Sequence, residues 1–263
     1  MKRLIRRFLR FGKTGFGLVS AARALGRYLA FFRDYQAFKE RHNAVRQDMR
    51  IEFGDIFPCL GENTATTAFD AHYVYHTAWA ARKVQAYAPP EHVDVSSSLY
   101  FASIVSAFVP IRFLDYRPAG LNLTGLDEES GDLLNLPLQD GSVESLSCMH
   151  VVEHVGLGRY GDPLDPLGDR KAASELERVL AEGGRFLFVV PVGHARIFFN
   201  AHRVYHPEQV SAMFPRLKLL SFALVTDAGQ FRDPAPLELV AEQSYGCGCF
   251  EFVKEPRAGS QDG

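Results

Sequence analysis

The segment that most constrains the fold is Arg185-Phe-Leu-Phe-Val-Val190, an apolar run of strand length. A run with no polar alternation predicts a strand covered on both faces. It follows a charged amphipathic helical stretch, Arg170–Leu180, across Gly183-Gly184, which reads as the helix's C-cap. Similar units recur on either side. Strand-like runs are His92–Ser96, Ile111–Asp115, Leu121–Gly125, Val143–Val152, Leu217–Val225, Leu237–Ala241 and Cys249–Val253. Helical patterns cover 64–87, stopped by Pro89-Pro90, then Tyr100–Phe108 and Pro207–Phe214, while Gly54–Asn63 reads as a loop. Strand–helix alternation with a strand-rich end predicts an α/β sandwich on a mainly parallel sheet.

A chain of 263 residues, 47% of them hydrophobic, can bury such a core without staples. Its four cysteines (Cys59, Cys148, Cys247, Cys249) form no disulfide framework at this length, and Cys247-x-Cys249 lacks the C-x-x-C spacing. A reducing compartment is the simplest expectation, and the localisation expected is cytoplasmic.

Charge is distributed unevenly. The first 33 residues hold nine Lys/Arg and no Asp or Glu. Removing those nine from the chain's 29 leaves 20 basic against 31 acidic residues, a net charge of −11 for the rest. An acidic body repels a phosphate backbone, so no nucleic-acid partner is expected. The basic arm lacks a membrane-spanning run, and Arg10, Lys13, Arg23 and Arg27 interrupt any signal-peptide core, despite the twin-arginine letters Arg6-Arg7-Phe8-Leu9. Over residues 2–13, Leu4, Ile5, Phe8, Leu9 and Phe11 share one helical arc, with Lys2, Arg3, Arg6, Arg7, Arg10 and Lys13 opposite. That pattern fits a helix lying on an anionic membrane, at the inner face in this compartment, or equally a helix packed on the acidic body. A second helix is expected over 18–42. The organisation expected is therefore a basic helical extension (1–50), a helical lead-in (51–90), an α/β domain (91–255) and a disordered tail (256–263).

Ligands in such sheets bind beyond the strands' carboxyl ends. There the sequence offers Asp94-Val-Ser-Ser-Ser98, Asp115, Gly131-Asp132-Leu133, His150-Val-Val-Glu153-His154 and, after the fifth strand, Asn200-Ala-His202-Arg203. From Val93 to Val253 this order resembles a class I S-adenosylmethionine (SAM) dependent methyltransferase. The resemblance rests on GDLLNLPLQDGSVESLSCMHVVEHV followed by ELERVLAEGGRFLFVVPVG. More narrowly, HVDVSSS, SLSCMHVVEHVGLGRYGDPLDP and FNAHRVYHP are similar to the family catalogued as domain of unknown function 268.

The resemblance implies a Rossmann-like sandwich on a mainly parallel, seven-stranded sheet with an N-terminal helical extension, and SAM as cofactor. It implies Asp115 as the ribose acid, Asp132 as the adenine partner, and Asp94, Ser96, Ser97, Ser98 and Leu133 as the rest of the cofactor site. His150, Glu153 and His154 are the catalytic candidates, because a histidine at that strand end suits a general base. Asn200, His202 and Arg203 are the acceptor-binding candidates, Arg203 for an anionic group. Members of the family often sit among surface-polysaccharide genes, which implies O-methylation of a sugar or glycolipid. The first loop has no glycine where such enzymes usually do, and 115–132 is too short for the usual helix. The alternative is therefore a catalytically silent protein of the same fold that binds a glycan or a partner enzyme. His150-x-x-Glu153-His154 also spells an inverted zinc-protease motif, but its strand context argues against a helix, and no metal site is expected. The helix over 64–87 presents Asp70, Tyr73 and His76, which either cover the acceptor site or pack with Trp79.

Overall fold

The computed structural model describes residues 14–46, 48–49 and 51–256. The chain parts into two compact units, Met1–Ala68 and Phe69–Gly263. Among its described residues the first contains helix α1 (Thr14–Val45) and a 3-10 turn, Phe53–Asp55. The amphipathic stretch expected over 2–13 lies outside the described residues, as does the tail from 257 onward.

The second unit alternates strands and helices. In chain order they are α2 (Ala71–Tyr87), β1 (His92–Val95), α3 (Leu99–Val105), β2 (Ile111–Asp115), β3 (Leu126–Ser130) and β4 (Val143–Met149). There follow α4 (Gly168–Val179), β5 (Leu180–Val192), the hairpin β6 (Arg196–Phe198) and β7 (His202–Val204), α5 (Pro207–Met213), β8 (Leu217–Val225), β9 (Phe231–Arg232) and β10 (Gly246–Lys254). The sheet order is β3-β2-β1-β4-β5-β10-β8-β9. Strands β1 to β5 run parallel, and β10 inserts antiparallel between β5 and β8. This is the Rossmann-like, largely parallel sandwich expected, with eight strands rather than seven because the two-residue β9 adds to β8.

The pleat sends alternate residues to opposite faces. One face packs Val93, Val95, Leu146, Cys148, Phe186, Phe188 and Val190 against Ala172 and Leu176 of α4 and Val210 of α5. The other packs Phe113, Met149, Val189 and Cys249 against Trp79 of α2 and Phe101 of α3. The near-continuous apolar run of β5 is thus covered on both sides, as its sequence predicts.

Four element readings need correction. The third strand is not Leu121–Gly125 but the acidic Leu126-Asp-Glu-Glu-Ser130 that follows it. This edge strand is stabilised by its charges: Arg112 donates two bonds to Glu129 at 2.6 and 2.7 Å. Glu128 accepts from the N–H groups of Ala119, Gly120 and Leu121. Those bonds hold the connection from β2 in place of the usual helix, which is indeed missing. The helix read over 64–87 begins at Ala71, where Asp70 accepts from Tyr73 N and caps it. Leu237–Glu242 is a 3-10 turn, not a strand. Finally, α4 ends at Val179 and Leu180 already opens β5, so Gly183 (φ 76°) turns within the strand's first residues and is not the helix's C-cap.

Candidate functional site

The carboxyl ends of β3, β2, β1 and β4 are neighbours in the sheet. The sequence-expected groups therefore gather along one edge. At the end of β1, Ser96 takes a left-handed conformation (φ 55°), the region that favours glycine. Its N–H and hydroxyl both donate to Leu114 O, which ties this loop to β2. The loop thus makes its turn without a glycine. Ser97 accepts from Met149 N through its hydroxyl, and Ser98 precedes α3.

Asp94 is fully buried, and both of its oxygens are used inside the protein. One accepts from Ser97 N at 3.0 Å and the other from the Ser147 hydroxyl. Ser147 and Ser145 in turn meet the two ring nitrogens of His92, at 2.9 and 2.8 Å. Burial pushes Asp94 up to about 7 and His92 down to about 3. Asp94 supports the first loop from beneath rather than presenting a free carboxylate to a ligand.

At the end of β2, half-buried Asp115 accepts from Arg117 N at 2.7 Å, and its carbonyl holds Gly131 N at the end of β3. Gly131 has a local reason: a Cβ there would lie 3.1 Å from the Leu114 side chain. Next to it, Asp132 is exposed and closes a turn by accepting from Leu134 N. Leu133 points into the core with Leu114 and Leu136 and is 7% exposed. Asp115 and Asp132 are thus carboxylate acceptors at adjacent strand ends. As acceptors they fit the hydroxyl and amino donors of a nucleoside cofactor such as SAM, and Ser96 makes the turn of the first loop.

Past β4 the chain turns sharply. His150 has φ 58°, and Val152–His154 form one 3-10 turn. Glu153, 1% exposed, lies between two imidazoles. Its Oε1 is 2.9 Å from His150 Nδ1 and 3.8 Å from His154 Nε2, and its Oε2 is buried without a partner. Burial raises Glu153 to about 7 and lowers His150 to about 4. His154 Nδ1 lies 2.6 Å from Ala201 O, a carbonyl that can only accept. Nδ1 therefore holds the proton and Nε2 keeps the lone pair. The loop that follows is fixed by Asp162, which accepts from Gly156 and Gly158. A Cβ on Gly156 would meet Asp165 O at 2.1 Å.

The β6–β7 hairpin completes the rim. His202 packs against His154 and Tyr245, with ring centroids 6.4 and 4.9 Å away. Asn200 is exposed at φ 60° and reaches Leu157 O at 3.5 Å. Arg203 is 4% exposed; it donates to Val155 O at 2.7 Å and Glu153 O at 3.4 Å, and lies 3.5 Å from Asp169. It braces the turn after β4 and is itself buried.

Helix α2 packs on the sheet and also reaches the turn after β4. Trp79 enters the core, while His72, Tyr73 and His76 pack their rings on His150 with centroids 5.6, 5.6 and 5.0 Å away. Sequence reasoning missed His72, Arg159, Tyr245 and Cys247. The i, i+4 pair His72 and His76 was the available signal for the first.

Residues 140–234 match the family model described as Caenorhabditis protein of unknown function, DUF268. A comparison with curated proteins finds no match. The solved structures that share the fold include two methyltransferases. One is the 1,6-didemethyltoxoflavin-N1-methyltransferase of Burkholderia thailandensis with bound 1,6-didemethyltoxoflavin and S-adenosylhomocysteine. It has 9% identity and a TM-score of 0.50, covering 69% of this chain and 79% of that one. The other is the N-methyltransferase NodS of Bradyrhizobium japonicum in complex with S-adenosylhomocysteine. It has 12% identity and a TM-score of 0.50, covering 71% and 88%. The chain has a class I methyltransferase-like fold, and its residues 140–234 carry the match to the DUF268 family.

Proposed function

We propose that the chain is a SAM-dependent O-methyltransferase acting on a sugar or glycolipid. The observation that supports this most is the convergence, on adjacent strand ends, of two cofactor-type carboxylates (Asp115, Asp132) with the His150–Glu153–His154 cluster. When bound, SAM supplies an electrophilic methyl group. The chain's residues orient the acceptor and take its proton.

His154 suits the base role better than His150. Its Nε2 keeps the lone pair, whereas His150 Nε2 is buried without a hydrogen-bond partner. Burial lowers His154 below its ordinary value, so it is neutral at working pH. Glu153 Oε1, 3.8 Å from His154 Nε2, favours the imidazolium that forms after proton uptake. The sugar reading is supported by exposed rings around the rim: Tyr160, Phe198, Phe199 and Tyr245. Flat apolar rings with polar edges suit the faces of a pyranose. Arg159 and Arg196, stacked on Tyr160 and Phe198, take the place expected of Arg203 as partners for an anionic acceptor group.

Calorimetry with SAM and S-adenosylhomocysteine tests the reading. Wild type should bind both, and Asp115→Asn should weaken binding by about 1–3 kcal/mol through loss of charge-assisted hydrogen bonds. No heat at millimolar ligand would favour the catalytically silent alternative, to which the internal bonding of Asp94 lends support.

A further inference from the structure

We propose that His72, His150 and Cys247 form a zinc site beneath the rim, with its fourth position open toward the acceptor. The three residues come from three elements, α2, the turn after β4, and β10. One ligand atom from each lies within 4.8 Å of the others. Tetrahedral zinc with nitrogen and sulfur ligands needs them roughly 3.4–3.6 Å apart. Closure by at most about 1.4 Å therefore suffices.

Three features point to a cation there. First, His150 Nε2 is buried with no hydrogen-bond partner, and its side chain is 6% exposed. An unpartnered ring nitrogen in that setting costs free energy unless something takes its lone pair. Second, the opposite nitrogen, Nδ1, is 2.9 Å from Glu153 Oε1. A carboxylate on the far side of an imidazole is the usual support of a metal-bound histidine, because it fixes the tautomer with Nε2 free. His72 stacks its ring on His150 and on Tyr245, with centroids 5.6 and 5.3 Å away. Third, Cys247 is fully buried, with the Cys249 sulfur 4.0 Å away. A buried thiol beside two neutral imidazoles is a ligand set that selects zinc over magnesium or calcium, which take oxygen.

Binding is balanced by one proton. Cys247 Sγ loses its hydrogen to solvent as the thiolate joins the cation, and the two imidazoles bind neutral. With three protein ligands the ion keeps a position for water or an acceptor hydroxyl. This deepens the methyl-transfer reading by adding a group that acidifies the acceptor, but the site itself stands on the three ligands.

The test uses the full chain without a histidine tag. Metal analysis of the purified protein should give about one zinc per chain. After stripping, titration with zinc against a chromophoric chelator should show one tight site. His72→Ala and Cys247→Ser should lose most of that affinity, and Glu153→Gln should weaken it 10–100-fold. Cobalt(II) loading should give a thiolate-to-cobalt band in the near ultraviolet. Cys247→Ser should lose the band and Cys249→Ser should keep it. Circular dichroism checks that each variant folds, and if Cys247→Ser does not, the wild-type cobalt spectrum decides alone. Zinc that is substoichiometric, equal in wild type and variants, or bound without a thiolate band would overturn the site. SAM calorimetry on the same samples separates the two readings. SAM binding without zinc removes only the metal, and zinc without SAM binding removes only the methyltransferase.

Discussion

At the scale of single residues, the assignment of the base decides most. His154→Ala should leave SAM affinity nearly unchanged and reduce turnover by about 10²–10⁴-fold, the usual worth of a general base. Release of S-adenosylhomocysteine with a responding acceptor measures it, and unchanged turnover would remove His154 from the mechanism. The candidates on strand ends were legible because the pleat and the carboxyl-end rule place them without knowledge of packing: Asp115, Asp132, His150 and Glu153 all reach the edge. Residues whose role depends on side-chain direction were not. Leu133 looks like its neighbours in the sequence yet belongs to the core, and Arg203 turns inward because Asp169 and two loop carbonyls take it there.

At the scale of elements, the inward turn of Arg203 makes the β6–β7 hairpin a brace for the turn after β4. Tyr205 donates to the same Asp169 at 3.0 Å, so the hairpin, α4 and the loop share one buried polar network. Arg203→Ala should cost about 3–5 kcal/mol, because it leaves the Asp169 carboxylate buried without its cation. Chemical denaturation checks this, and a loss below about 1 kcal/mol would show the brace to be incidental. The misread third strand has the same physical root. An edge strand exposes one side, so the charges of Leu126–Ser130 are stabilising there and conceal the alternation that a covered strand would show. Among the described residues no helix is long and apolar enough to cross a membrane. Attachment through the basic arm is a separate proposal, resting on the two arcs of residues 2–13. Full-length protein should sediment with anionic vesicles and be released by salt. A form lacking residues 1–33 should stay in the supernatant, and equal sedimentation of both would assign the anchor elsewhere.

At the scale of the whole molecule, folding stability carries the signature of the polar pair beneath the sheet. His92 and Asp94 both lie under the first loop, linked through Ser147, and burial shifts them in opposite senses. His92 is near 3 when folded against an ordinary 6.5. Between those values the unfolded chain binds the extra proton, so this group makes stability rise with pH. Asp94 is near 7 when folded against 3.8. There the native state holds the extra proton, so this group makes stability fall as pH rises from about 4 to 7. Each slope is at most about 1.4 kcal/mol per pH unit, and over the shared window from about 4 to 6.5 they oppose one another. Single variants should separate them. Asp94→Asn should steepen the rise of stability between pH 4 and 6.5 relative to wild type. His92→Gln should reverse the sign of that change, leaving stability to fall toward pH 7. Denaturant titrations at several pH values measure both differences. Two variants with the same pH dependence as wild type would show that neither group changes its proton on unfolding. The support of the first loop would then come from hydrogen bonds alone, with Ser97 N and the Ser147 hydroxyl holding Asp94 in one ionisation state throughout.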